Sequence, residues 1–286
     1  MFTAKLENIN GEIITLTGNE SVYQCYRIDG TNPPTANINT AQAAGHDGAV
    51  FNSSKLNMRN IVIYVKINGD AEANRLNLYN FARTKEWCRF YYANGSRNVS
   101  IEGYVETVSV SPFSMREVMQ ISILCPEPYF KGVDEILADS SNVQPEFTFP
   151  FSIDEDAPVV ISELLSSEGI IISNTSDATT GAFIYLVFNS SASSVEIKNT
   201  TTGDDFKLVY SFQSGDIVEV NTNDGEKSIK LVRSGVVSNL MSAFQRGGTF
   251  PKLYSGVNIF DYLVDNATPT GQVDITFRYH NVYRGV

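Results

Sequence analysis

Side chains able to do chemistry are sparse in this sequence, and they do not form a constellation. There are two histidines, His46 and His280. A metal site needs several ligands at matched geometry. His46 stands beside Asp47 and Gly48, and His280 falls in Arg278-Tyr279-His280-Asn281, so each reads as a surface or hydrogen-bonded residue. Asp154-Glu155-Asp156 is a run of carboxylates. A glycosidase needs two acids facing each other across a sugar, and adjacent acids on one loop do not face each other. Asp204-Asp205 and Asp224-Gly225-Glu226 lack the alternating spacing of a calcium loop. The three cysteines, Cys25, Cys88 and Cys125, include no C-x-x-C and are odd in number. They read as buried free thiols from a reducing compartment rather than a disulfide framework or zinc cluster. G-x-S-x-G and the phosphate-binding G-x-x-x-x-G-K-[ST] are both missing, and Gly247-Gly248 between Arg246 and Thr249 reads as a turn. The residues therefore give no catalytic group, no cofactor site and no metal site, and the chain is not expected to be an enzyme.

The elements that would position such residues are mostly strands. At 286 residues, with 42% hydrophobic and 19% charged side chains, the chain has room for two globular domains. Fourteen tyrosines and 17 phenylalanines favour strands. Strands are expected at 4–8, 13–17 and from Val22. Ile61, Ile63, Val65 and Ile67 share one face at period two and mark a further strand. Residues 32–48, rich in Pro, Ala, Asn and Gly, read as a long loop of the kind that often interacts. The spacing of Leu78, Phe81 and Ala82 predicts a helix over 71–83, capped by Asp70 or Asn68 and with Glu72 at its positive end. Asn94-Gly95 predicts a type I′ hairpin between strands at 87–92 and 99–105, and Asp224-Gly225 predicts another further on. Trp87, the single tryptophan, is expected to pack in the core.

A strand at 118–124 ends at Cys125-Pro126-Glu127-Pro128, where two prolines stop pairing. Residues 131–148 have a linker's composition. The second half reads as strands alone, at 159–162, 169–172, 183–188, 195–199, 206–210, 217–222, 228–232 and 273–279, which is a sandwich pattern. The formal charge of −11 repels phosphate backbones, so stable nucleic-acid binding is not expected. The first residues lack the apolar core of a signal peptide, and no apolar run is long enough to span a membrane as a helix.

Four segments, in order, resemble the distal tail proteins of siphophages and their prophage relatives. The first is Gly45-His46-Asp47-Gly48 with Arg59-Asn60-Ile61-Val62-Ile63. The second is Leu78-Tyr79-Asn80-Phe81 with Arg89-Phe90-Tyr91-Tyr92 and Gly103-Tyr104-Val105-Glu106. The third is Gln120-Ile121-Ser122-Ile123-Leu124-Cys125-Pro126-Glu127-Pro128-Tyr129-Phe130. The fourth runs from Gly215-Asp216-Ile217-Val218-Glu219-Val220-Asn221-Thr222 through Asp224-Gly225 to Lys227-Ser228-Ile229-Lys230-Leu231, followed by Leu253-Tyr254-Ser255-Gly256-Val257-Asn258.

The resemblance implies a mainly β chain. It would have a β-barrel-like N-terminal domain with one α-helix at 1–130, a linker at 131–148, and a galectin-like β-sandwich at 149–286. It further implies a structural virion protein made in the bacterial host cytoplasm and located at the tail tip. There a homo-oligomer, a hexameric ring built by the first domain, would join the tail tube protein to the tail-associated hub or lysin protein. Receptor-binding proteins would dock on the second domain. The acidic charge suits a conduit that does not hold passing DNA. The competing expectation is a carbohydrate-binding adhesin module acting through the C-terminal sandwich, since sandwiches host many functions.

Overall fold

The computed structural model describes the chain from residue 2 to 286 except 19–20, 43, 46, 111–117, 141–142, 146–161, 165–168 and 266–271. Contacts divide it into two compact units, Met1–Asp134 with Val282–Val286, and Glu135–Asn281. The second unit is thus inserted into the chain of the first, whose last five residues come from the end of the sequence.

The first unit contains strands β1 (Thr3–Asn8), β2 (Ile13–Thr15), β3 (Tyr23–Asp29), β4 (Ala36–Ala41), β5 (Val50–Leu56) and β6 (Arg59–Ile67). Helix α1 (Ala71–Phe81) follows, then β7 (Trp87–Ala93), β8 (Asn98–Val110), β9 (Val118–Cys125) and the first residues of β10 (Phe130–Asp139). An antiparallel sheet runs β3-β6-β9-β8-β7-β1-β2. Leu16, just past β2, closes the circuit. It donates to the Ala4 carbonyl at 2.8 Å and accepts from the Cys25 amide of β3 at 2.6 Å. The sheet therefore returns on itself as a barrel.

Alternation sets the inside. Ile61, Ile63, Val65 and Ile67 of β6 are all buried, as their period-two spacing predicts, against Met119, Ile121 and Ile123 of β9 and Phe90 of β7. Gly103 of β8 has no side chain because one would meet the Leu124 carbonyl oxygen at 2.7 Å.

Helix α1 starts where Asp70 accepts a hydrogen bond from the Ala73 amide at 3.2 Å. Its interior buries Leu78, and Ala82 just beyond the last turn is buried as well. The helix ends at Ala82, whose amide donates to the Leu78 carbonyl and whose ψ of 70° leaves the helical path, and Lys85 follows in the left-handed region at φ 73°.

The second unit carries β11 (Val143–Pro145), β12 (Ser162–Leu164), β13 (Ile170–Asn174), β14 (Phe183–Phe188), β15 (Ala192–Asn199) and β16 (Asp205–Phe212). It continues with β17 (Ile217–Asn221), β18 (Ser228–Arg233), β19 (Val236–Asn239), β20 (Gly256–Val264) and β21 (Val273–Tyr283), the last leaving the unit at Asn281. One sheet runs β19-β18-β17-β14-β21, and another runs β13-β20-β15-β16. Both contribute to a single core that holds Leu186, Phe188, Val220 and Phe277 from the first and Ile197, Phe206, Phe212 and Phe260 from the second. Ring pairs bridge the sheets, Phe188 on Phe212 at 4.2 Å and Phe260 on Phe277 at 4.8 Å. This is a β-sandwich, and the described residues are mainly β with one α-helix, as expected.

Several local expectations need correction. Asn94-Gly95 is not a type I′ turn. Ala93 pairs with Asn98 across a longer loop, and the Asn94 side-chain oxygen accepts from the Ser96 and Arg97 amides at 2.8 Å. That side chain turns the chain without a left-handed residue. Asp224-Gly225 is not type I′ either. Gly225 has φ 83° while Asp224 is not left-handed, and the Glu226 amide reaches the Asn223 carbonyl at 3.2 Å. That is type II geometry. The turn with two left-handed residues is Ser234-Gly235, at φ 50° and 79°, between β18 and β19.

The 32–48 segment, read as a loop, contains β4. The stretch read as a linker from 131 contains most of β10, which places Phe130 in the first core and packs Ile136 and Ala138 against the second. Trp87 lies half-buried on the outer face of β7, where Glu102 accepts from its indole N–H at 3.4 Å and the Arg89 guanidinium sits 5.2 Å from its ring.

Candidate assembly surfaces

The sequence-selected polar residues do not converge. His46 and Asp154-Glu155-Asp156 lie outside the described residues. His280 is on β21 of the sandwich. Asp204 accepts from the Thr202 hydroxyl at 2.9 Å, and Asp224 pairs with Lys252 at 2.6 Å. Among the described residues no three His, Cys, Asp or Glu side chains are grouped to hold a metal ion. The three thiols are buried, which pushes Cys25 up to about 11 and Cys88 and Cys125 up to about 12, so each stays protonated at neutral pH.

Each unit has a polar anchor. Asp216, at the start of β17, is 1% exposed. Both its oxygens accept from Arg233 of β18, at 2.8 and 2.6 Å, and one also accepts from the Gln213 amide at 2.8 Å. Arg233 first, then that amide, holds the Asp216 carboxyl below the usual carboxylate range, against the effect of burial. On the barrel's outer face, Arg89 pairs with Glu102 at 2.5 Å, and the Tyr91 hydroxyl donates to Glu7 at 2.6 Å.

Two features of the first unit have no partner among the described residues. One is the β4–β5 ribbon, a two-stranded sheet in which every residue is exposed. Its register pairs Ala36 with Leu56, Ile38 with Ser54 and Thr40 with Phe51, so these six share a face. An irregularity at Asn52 keeps Phe51 on the side of Ile38. Ile38 is 60%, Phe51 61% and Leu56 41% exposed. The other face carries Asn37, Asn39, Ser53 and Lys55, with Asn39 bonded to Ser53 at 3.1 Å, and ends in Ala41 and Val50. The ribbon is amphipathic, and its apolar face meets solvent. A lone two-stranded hairpin is marginal in water. The alternation Ala36-Asn37-Ile38-Asn39 signalled it in the sequence, but Pro33-Pro34 and the glycines at 45 and 48 masked the signal.

The second feature is a groove beside β2. Its floor is Ile14 and Tyr23, shared by two adjoining hollows of about 490 and 510 Å³. Ile13 and Val22, 55% and 42% exposed, stand at its edges, and Phe81 and Arg83 from the α1 end close one side. The hydroxyls around it turn inward. Ser21 donates to the Thr15 and Tyr23 carbonyls, and Thr17 accepts from the Ala4 amide. The hollow toward α1 is also lined by Asn10, Glu12, Asn77, Asn80 and Arg83, so polar and apolar groups share the groove.

Known proteins share these features of fold. Residues 175–283 match the family model described as siphovirus-type tail component, C-terminal domain. No curated protein matches the sequence. The fold is similar to the crystal structure of the SPP1 Dit protein, described as a paradigm of hub adsorption apparatus in phages infecting Gram-positive hosts. The identity is 17%, 98% of this chain and 99% of that chain are covered, and the TM-score is 0.67. A chain of the phage P2 baseplate in its activated conformation with Ca is 10% identical over 98% of each chain, with a TM-score of 0.50. Residues 175–283 thus match the siphovirus-type tail component, C-terminal domain, which agrees with the resemblance to siphophage distal tail proteins carried by the four sequence segments.

Proposed function

We propose that this chain is a non-enzymatic component of a phage tail tip that assembles into a hexameric ring joining the tail tube to the tail-tip hub. The family match over 175–283 carries the reading. The geometry of the first unit supports it. A ring is a heterologous, closing assembly, so each protomer needs two different faces that complement each other. The exposed ribbon and the groove beside β2 are two different exposed faces of the first unit. On this reading the first unit builds the ring, and the sandwich is the docking site for receptor-binding proteins. The protein works by shape and contact, and the three buried thiols serve the fold.

The test is sedimentation velocity and negative-stain imaging of the purified full chain. Six copies of 31.6 kDa would sediment near about 190 kDa and image as rings. A monomer at every concentration and salt, with and without the hub protein, would refute the ring.

A further inference from the structure

We infer that the hollow between β2 and the end of α1 is a binding site for a neutral saccharide. The inference goes beyond the ring reading and does not depend on it. The hollow has a volume of about 490 Å³ and continues across Ile14 and Tyr23 into the second, of about 510 Å³. Pockets of this size take small molecules. Asparagines form the helix side. Asn74, Asn77 and Asn80 recur at three-residue spacing along α1, which makes them neighbours on the helix surface. Asparagine is a poor helix former, because its side chain competes for backbone hydrogen bonds. Asn74 has a task in the fold. Its amide donates to the Asn68 carbonyl at 2.9 Å, and its own carbonyl accepts from the Tyr23 hydroxyl at 2.8 Å. Asn77 and Asn80 have no such task. Both are exposed, both line the hollow, and neither side-chain amide has a partner among the described residues.

The lining suits the two-sided chemistry of a sugar ring. The Tyr23 hydroxyl is held by the Asn74 carbonyl, so the aromatic ring is fixed and its apolar body forms the floor, with Ile14 beside it and Phe81 at one side. The C–H face of a pyranose lies well on such a floor. Around it stand the amides of Asn10, Asn77 and Asn80, each of which both donates and accepts, as a sugar hydroxyl does. A wholly apolar occupant would take water from these amides and return no hydrogen bond. Charge selects a neutral ligand. The hollow carries one acid, Glu12, and one base, Arg83. Each has a partner in the chain: the Asn8 amide donates to Glu12 at 2.7 Å, and Arg83 pairs with Glu86 at 3.7 Å. The lining therefore holds no surplus cation for an anionic polymer, and the formal charge of −11 repels one.

The experiment applies the full chain to an array of immobilised neutral and anionic glycans, followed by saturation-transfer NMR and calorimetric titration with the neutral trisaccharides that bind. Neutral glycans are expected to bind and anionic ones to give no signal. Asn77→Ala with Asn80→Ala removes two amides and leaves the floor in place. Both positions are exposed on a helix and alanine is the better helix former, so the melting temperature should hold or rise slightly while affinity falls at least about tenfold. Asn10→Ala, on the β1–β2 turn, alters no helix residue and should weaken binding as well. An array on which no neutral glycan binds would overturn the inference, and so would binding confined to anionic glycans. Undiminished affinity in the asparagine variants would also overturn it, because the sugar would then sit elsewhere on the chain. Each of these results is compatible with rings in sedimentation and imaging, so failure here is distinct from failure of the ring reading.

Discussion

Arg59 offers the sharpest perturbation of the first unit. Its side chain is 3% exposed and has no carboxylate among its hydrogen-bond partners in the described residues. Instead it donates to four backbone carbonyls. Nε reaches Pro128 at 2.8 Å, Nη1 reaches Gly30 and Asn32, and Nη2 reaches Arg284 at 2.6 Å. Phe130 lies beneath it at 4.6 Å. Burial lowers its pKa from the ordinary arginine value, which marks the cost of keeping the cation there.

Arg59→Met would leave four carbonyls without their donor. At about 1 kcal/mol each, the loss is about 4 kcal/mol. Relief of the buried charge offsets part of this, which leaves about 2–4 kcal/mol net. Trp87, the only tryptophan, sits in the same unit, so its fluorescence during urea unfolding reports on that unit. With a slope near 2 kcal/mol/M, the midpoint should fall by about 1–2 M. Arg59→Lys should fall in between, since its donors radiate from one atom and cannot span the fork. A Met variant within about 0.2 M of the parent would refute the reasoning, because it would mean the carbonyls are satisfied without the guanidinium.

Two predictions concern the sandwich. Asp216→Ala should cost about 3 kcal/mol at neutral pH, the low end for a broken buried pair because Arg233 is partly exposed and regains water. The Asp216 carboxyl is held below its unfolded value of about 3.9, so its contribution is full above that pH and lost as pH falls through the folded value. Parent and variant should therefore differ in calorimetric melting at pH 7 and converge in strong acid; a gap of constant size would contradict the assignment. Gly225→Val should cost about 1–3 kcal/mol through strain alone, since a Cβ there meets nothing within 4 Å but φ is 83°. Gly225→Asn should cost less, and equal melting temperatures for all three proteins would show that the turn relaxes.

The legible parts of the fold were those set by local pattern. β6 announced itself through four aliphatics at period two, and α1 through Asp70 and the Leu78–Ala82 spacing, because burial and capping act within a few residues. Hairpin geometry was less legible. Asn-Gly and Asp-Gly are permissive of type I′, but Asn94 spends its side chain on the Ser96 and Arg97 amides, and Asp224 stays right of the left-handed region. Trp87 was expected inside because large aromatics usually are. Its position on β7, one residue before buried Cys88, puts it outside, and only the register of the sheet decides that. The assembly surfaces were the least legible. The ribbon's apolar face depends on a shift at Asn52, and the groove on the end of α1 coming beside β2 and β3.

The chain connectivity bears on how such a surface comes to exist. Ribbon and groove both belong to the first unit, which by itself would suggest that a fragment ending near residue 131 keeps them. The final residues change that argument. Arg284 supplies one of the four carbonyls that hold Arg59, Arg97 donates to the Gly285 carbonyl and stacks on Tyr283 at 4.4 Å, and the Val286 amide reaches Thr31 at 3.1 Å. Thr31 and the Gly30 and Asn32 carbonyls lie between β3 and β4, at the base from which the ribbon springs. A fragment cut at 131 lacks all of these bonds at the point that sets the ribbon's direction. On the proposed reading, a protomer gains its ring contact only after the whole inserted sandwich has been made and the last five residues have returned to the barrel.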